Sequence, residues 1–235
     1  MTNNKARKSI NNLCFFRQKI CNMNGSIQEE YEMLLREEVS GKYVFPEQLF
    51  AELMSDRELH KLYIEKISKI LNDLLKKEKT IYSLNIDYQE LYYSETIAFL
   101  ESFNYKEKLK IELTERILLY RNNHYSEIVP REIIKSIKQM GYDIALDDFL
   151  LGVNSFRSLI DLHPYISRIK LSTLEFKNIL ESEQLSNYLL AMESIITSFD
   201  KEIVIEGVEE EALLKTFPQE WKQQSYYYSI PHQFY

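Results

Sequence analysis

Short runs of β-branched and aromatic residues alternate along this chain with longer stretches whose apolar positions recur at three- and four-residue steps, and that alternation restricts the fold more than any other feature. The β-rich runs are Leu13–Ile20, Gln28–Leu35, Thr80–Asp87, Leu109–Leu113, Tyr142–Asp147, Ser167–Leu171, Ile203–Ile205 and Ser225–Ser229, eight in all. Between them, Leu59, Leu62, Tyr63, Ile67, Ile70, Leu71 and Leu74 mark one face of a helix. Pro130 opens a second helix, Arg131–Met140, which Gly141 stops, and Leu174–Phe199 reads as a long third one. Strands that alternate with helices need right-handed crossovers and a mostly parallel sheet, and eight of them predict a closed (β/α)8 TIM-like barrel. The first two strands are joined by only about seven residues around Asn24-Gly25, a hairpin-like distance, so the first strand is expected to run antiparallel to the rest. An open doubly wound sheet is the alternative, but the glycines at 25, 41, 141, 152 and 207 form neither GxGxxG nor a phosphate-binding loop.

At 235 residues and 45% hydrophobic, the chain fits one barrel domain over residues 13–235, with 1–12 as an N-terminal extension. The net charge of −7 argues against a partner that is polymeric nucleic acid, which calls for a basic face. The basic start, Met1 to Lys8, is followed by no apolar stretch of signal-peptide length, and no run of about 18 apolar residues could span a bilayer. Cys14 and Cys21 are the only cysteines, too few for a disulfide framework and without CxxC spacing. These readings lead us to expect a cytoplasmic protein without a membrane partner.

Chemistry in a barrel of this kind gathers where the strands end. Reading the ends in order gives Glu32, Asn85, Glu112, the pair Asp147-Asp148, Lys170 and Glu206. Most of the acids have large apolar neighbours and should be buried, which is costly without a compensating cation. Lys170 alone cannot balance five carboxylates. Oxygen donors suit Mg²⁺, Ca²⁺ or Mn²⁺, whereas the histidines at 60, 124, 163 and 232 have no zinc-site spacing. Taken singly, each position has a plainer explanation: a strand-end Glu is usually solvated, Lys170 could be a surface charge, Asn85 a turn former and Asp148 a helix cap. Those explanations would have to hold at six strand ends at once.

At these residues the sequence resembles the EAL-domain family of cyclic di-GMP phosphodiesterases. The family's ExLxR appears as Glu32-Met33-Leu34-Leu35-Arg36, preceded by Phe16-Arg17-Gln18-Lys19-Ile20 where members usually read YQPI. Leu84-Asn85-Ile86, Glu112 to Glu115 (ELTE), Asp147 to Phe149 (DDF) and Glu206 to Glu209 (EGVE) follow in the family's order. Gln224 to Pro231 resembles its terminal QGYxFSxP, whereas the literal Glu211-Ala212-Leu213 is not the signature motif.

The resemblance implies that Glu32, Asn85, Glu112 and Asp147 bind one Mg²⁺ or Mn²⁺, and that Asp147, Asp148 and Glu206 serve a second. It implies catalytic roles for Lys170 and Glu209 alongside Asp148, and substrate contacts from Gln18, Arg36 and Gln224. Two neighbouring cations can activate water and neutralise the charge of in-line attack at phosphorus, which agrees with that implied activity: opening of cyclic di-GMP to pGpG. A homodimer and a regulatory protein partner are further expectations. The pattern departs at Leu150 and Leu151, where members read Gly-Thr, at Ser172, where an acid is usual, and at Ser225, where glycine is usual. Leucine resists the φ > 0 that glycine adopts, so Leu150 is expected to send the loop along another path. The alternatives to an enzyme are a cyclic di-GMP receptor without turnover and a protein-interaction module.

Overall fold

The computed structural model describes residues 3–25, 27–117, 127–174, 176, 179–215 and 217–235. Met1, His124 and part of the predicted Leu174–Phe199 helix (175, 177 and 178) lie outside the described residues. The strands are β1 Cys14–Lys19, β2 Cys21–Asn22, β3 Glu30–Val39, β4 Lys42–Val44, β5 Ile81–Ile86, β6 Leu109–Leu113, β7 Asp143–Leu146, β8 Arg168–Ser172, β9 Glu202–Glu206, β10 Lys222–Gln224 and β11 His232–Gln233. The helices are α1 Asn3–Asn12, α2 Glu47–Ser55, α3 Arg57–Leu75, α4 Ser94–Ser102, α5 Arg131–Gln139, α6 Phe156–Leu162, α7 Ser182–Thr197 and α8 Glu211–Leu214.

The helix face read from apolar spacing is the buried face of α3, carrying Leu59, Tyr63, Ile67, Ile70 and Leu71. Asp56 starts that helix by accepting from the backbone N–H groups of Glu58 and Leu59, which would otherwise be unsatisfied. Helix α1 joins the same core through Ile10, and Lys66 of α3 donates to the carbonyls of Ile10, Asn11 and Leu13 at its end. No helix among the described residues is long and apolar enough to cross a membrane.

Strands β3, β5, β6, β7, β8, β9 and β10 form a continuous parallel run. Strand β1 is antiparallel to β3, as the short hairpin connection implies. Its continuation β2, separated from it only by buried Ile20, is antiparallel to β10. One nearly unbroken segment therefore pairs with both ends of the parallel run and closes the TIM-like barrel. Strand β11 adds to β1.

The period-two alternation of side chains fills the barrel interior in layers. On β8, Arg168, Lys170 and Ser172 share one face and Ile169 and Leu171 the other, all buried. The layer at the strands' beginnings is ionically balanced. Arg168 lies 2.6 Å from Glu30 and 2.5 Å from Glu202, and Lys222 lies 2.7 Å from each. Burial opposes ionisation of Glu30, but Arg168, Lys110 and Lys222 overcome it and hold this carboxyl far below its usual range. The layer at the strands' ends has no such balance, and the candidate site is there.

Three sequence expectations change. The predicted last strand, Ser225–Ser229, is a turn, and the strand is Lys222–Gln224. Its tyrosines suggested a ladder, yet the N–H groups of Tyr226 and Tyr227 donate to the Glu209 carboxylate instead. The long helix begins at Ser182, where Glu181 N–H donates to Gln184 Oε1. Leu150 takes φ = 79°, so the loop keeps a left-handed conformation that leucine disfavours and does not exclude.

Candidate active site

Four carboxylates surround the Lys170 ammonium at the mouth of the barrel. Nζ lies 2.7 Å from Glu112 Oε2, 2.7 Å from Glu206 Oε1, 2.9 Å from Asp147 Oδ1 and 3.1 Å from Glu32 Oε2. Register explains the convergence. Glu112 is paired with Asn85 on β5 and with Ala145 on β7, and Glu32 of β3 is paired with Gln18 of β1. Asn85 Nδ2 donates to Glu32 Oε1 at 2.6 Å, and Gln224 Nε2 donates to Glu32 Oε2 at 2.6 Å. Gln224 also donates to Gln18 Oε1, and Gln18 donates to the Ser229 carbonyl, so these two glutamines tie the seam where the barrel closes.

One lysine cannot neutralise this set, and the acids separate accordingly. Burial pushes Glu112 and Asp147 up to about 7, with the charge of Glu32 adding to it against Lys170. Burial also raises Glu206 well above the usual range. Glu32 goes the other way: burial is outweighed by Lys170 and by hydrogen bonds from Gln224 and Asn85. Lys170 itself is driven well above its ordinary value, because the four carboxylates overcome its desolvation.

The acids form two groups that could each hold a cation. In Glu32, Glu112 and Asp147, and again in Glu115, Asp147 and Asp148, one oxygen from each residue lies within 4.8 Å of the others. Asp147 belongs to both. Asn85 Oδ1 and Glu112 Oε1 are buried beside the first group without a hydrogen-bond partner. Carboxylates whose ionisation burial opposes, with unpartnered oxygen lone pairs beside them, fit a hard divalent cation.

The second group differs from the set implied by the resemblance. Glu115, quoted in the sequence only as part of a motif, supplies its third acid, while Glu206 lies on Lys170. The signal available was a further carboxylate three residues beyond Glu112, past the strand's end. Glu209 is exposed and bonded to the Tyr226–Tyr227 turn. Ser172, standing where an acid is usual, supplies a hydrogen bond to Asp148, whose carboxyl burial nevertheless raises.

A cavity of about 250 Å³ opens beside these residues. Asn85, Glu115, Asp147 and Asp148 line it together with Arg36 and the aromatic residues Phe45, Phe50 and Tyr63. Arg116 stacks over the Phe45 ring at 4.1 Å. Asp87, also on the wall, is pushed up to about 7 by burial. The cavity lining therefore combines carboxylates with cationic and aromatic side chains.

The EAL domain family matches residues 3–219. No curated protein matches the chain. Among solved structures, the FimX EAL domain of Pseudomonas aeruginosa bound to c-di-GMP is similar with a TM-score of 0.74 at 20% identity, over 97% of this chain and 93% of that one. An EAL domain protein of Listeria monocytogenes EGD-e matches with a TM-score of 0.73 at 20% identity, over 98% and 94%. Klebsiella pneumoniae BlrP1, as a manganese and cyclic di-GMP complex, matches with a TM-score of 0.72 at 18% identity, over 94% of this chain and 56% of that one. With the family matched over most of its length, this chain belongs to the EAL domain family.

Proposed function

We propose that the protein is a metal-dependent phosphodiesterase that hydrolyses cyclic di-GMP to linear pGpG. The observation that carries this reading is the convergence of Glu32, Glu112, Asp147, Asp148 and Glu115 into two oxygen groups sharing Asp147, beside a cavity whose lining includes Phe45, Phe50 and Tyr63. Glu32, Asn85, Glu112 and Asp147 would hold one Mg²⁺ or Mn²⁺, and Asp147, Asp148 and Glu115 a second, with Glu206 beside them. Bound there, such cations supply Lewis-acid activation of water and charge neutralisation at phosphorus. Lys170 would stabilise negative charge that develops on the phosphoryl oxygens, from a position fixed by the acids around it. Arg36 would meet a substrate phosphate.

A second reading, a cyclic di-GMP receptor without turnover, is favoured by one observation: Leu150 and Leu151 stand in the loop that carries Asp147 and Asp148, and Leu150 is held at φ = 79°. The test is purified protein with cyclic di-GMP and either Mg²⁺ or Mn²⁺, with products separated by chromatography. Formation of pGpG that disappears in Glu32→Ala and Asp147→Asn supports the enzyme. Nucleotide binding with no product at high protein concentration supports the receptor.

A further inference from the structure

Asn154 makes contacts that the cation-binding acids do not account for. Its side chain is fully buried, four residues beyond the leucine at φ = 79°. Nδ2 donates to the Leu113 carbonyl at 2.8 Å and to the Asp147 carbonyl at 2.6 Å. Oδ1 accepts from the Tyr88 hydroxyl at 2.7 Å. Leu113 ends β6, Asp147 follows β7, and Tyr88 lies just past β5. One amide thus joins the ends of the three strands that present Asn85, Glu112 and Asp147. Its own carbonyl accepts from Leu150 N–H at 2.6 Å, which ties the strained leucine to the same point.

Geometry nearby makes this joint consequential. The Gly152–Val153 stretch folds back on Glu115: Val153 N–H donates to the Glu115 carbonyl at 2.8 Å, and a Cβ on Gly152 would lie 1.8 Å from that oxygen. Glu115, Asp147 and Asp148 therefore meet only while the loop stays folded against the end of β6. Two non-glycine residues in it, Asp148 at φ = 42° and Leu150 at φ = 79°, favour relaxation to another path. The side-chain bonds from Asn154 to both strand ends oppose that relaxation.

We infer that Asn154 is a positioning residue, clamping the ends of β5, β6 and β7 so that Glu115, Asp147 and Asp148 form a cation site despite the leucine-bearing loop. It deepens the metal-dependent reading above and rests on it. The clamp acts through donation to two carbonyls, so shape alone does not replace it. Asn154→Asp keeps the outline, but an ionised carboxylate cannot donate to either oxygen. Asn154→Ser retains one short donor.

The test is a Mn²⁺ titration of the cation-stripped full-length protein by calorimetry, with Glu115→Gln marking which of the two binding events belongs to the loop acids. Asn154→Asp should weaken that event by about tenfold or more, as loss of a supporting hydrogen bond does in metal sites, and should weaken the other, which shares Asp147, by several-fold less. Asn154→Ser should fall between, and Leu150→Gly added to Asn154→Asp should recover much of the loss by removing the strain. A lower melting temperature with both binding events unchanged, or equal weakening of both, overturns the assignment. If Asn154→Asp does not fold, Tyr88→Phe, which removes one arm only, is measured instead: weaker binding at the loop event supports the clamp, and unchanged binding overturns it. Wild-type protein that binds no Mn²⁺ overturns both this inference and the metal-dependent reading, whereas two normal events in every Asn154 variant overturn this inference alone.

Discussion

Lys170 Nζ lies 2.7 Å from Glu112 Oε2 with both residues wholly shielded from solvent, so the buried ammonium of the upper barrel layer pairs with an acid whose ionisation burial opposes. The layer below has Arg168, Lys110 and Lys222 for Glu30 and Glu202, and the imbalance between the two layers is what the proposed cations would relieve. In cation-free protein near pH 8, Lys170→Met removes the counter-charge in contact with four of the acids and should cost about 3–5 kcal/mol, the usual penalty for breaking a buried pair. The loss should shrink as the pH falls and the carboxyls take up protons. Denaturant unfolding in a chelator measures it, and wild-type stability near pH 8 would contradict the described layer.

Glu112 and Asp147 predict a pH dependence whose sign follows from their direction. Both are raised by burial to about 7, so the folded chain binds protons there that the unfolded chain has released. Their stabilising contribution is complete below the ordinary carboxylate range near 4 and is lost as the pH rises through about 7. Metal-free wild type should lose stability across that window relative to Glu112→Gln, which keeps a neutral group throughout. Cation binding should release protons below about pH 7 and tighten as the pH rises. Melting curves in chelator, and calorimetric proton release in two buffers, read these effects. A wild type and Glu112→Gln with parallel stability profiles would count against the raised carboxyl.

Much of this site was legible before any coordinates, and the reasons differ between residues. Glu32, Glu112 and Asp147 could be located because acids recur at the ends of successive strands, although each taken singly would more often be solvated. Their grouping depends on register, with Asn85 beside Glu112 and Gln18 beside Glu32, and no single strand encodes that. Glu115 gave no signal of its own, because its carboxylate comes near Asp147 and Asp148 only in the folded loop. The tyrosines at 226 and 227 misplaced a strand because propensity cannot register Glu209 bonding their N–H groups from elsewhere in the chain. Leu150 misled in the other direction: the intrinsic preference against φ > 0 was real, and tertiary hydrogen bonds overrode it.

Gly152 and Gly141 make a controlled comparison, since both have positive φ and only one is crowded. A Cβ on Gly152 would stand 1.8 Å from the Glu115 carbonyl oxygen, whereas one on Gly141 would meet nothing within 4 Å. Gly141→Ala should therefore cost only the left-handed backbone term, about 1–2 kcal/mol. Gly152→Ala should cost more than that and should also disrupt Mn²⁺ binding at Glu115, Asp147 and Asp148. Unfolding and metal titrations on the two variants decide it. Equal losses of stability, with metal binding intact in both, would show that the close approach does not govern the site.

A homodimer, expected from the sequence, would find little apolar surface on the loop of Leu150 and Val153. Leu150 and Val153 are half-buried and packed against the core, which leaves them little area to offer. Phe156 and Ile160 of α6 are 39% and 57% exposed and one helical turn apart, so they present a shared apolar strip. Phe156 is held in place from behind by Phe149, with the rings 5.4 Å apart and nearly perpendicular. Covering such a strip with a second copy would bury it without deforming the loop that carries Asp147 and Asp148. Wild type should be dimeric by light scattering at tens of micromolar, and Phe156→Glu combined with Ile160→Glu should be monomeric with an unchanged circular dichroism spectrum. A monomeric wild type, or a double variant that still dimerises, would remove α6 from the interface.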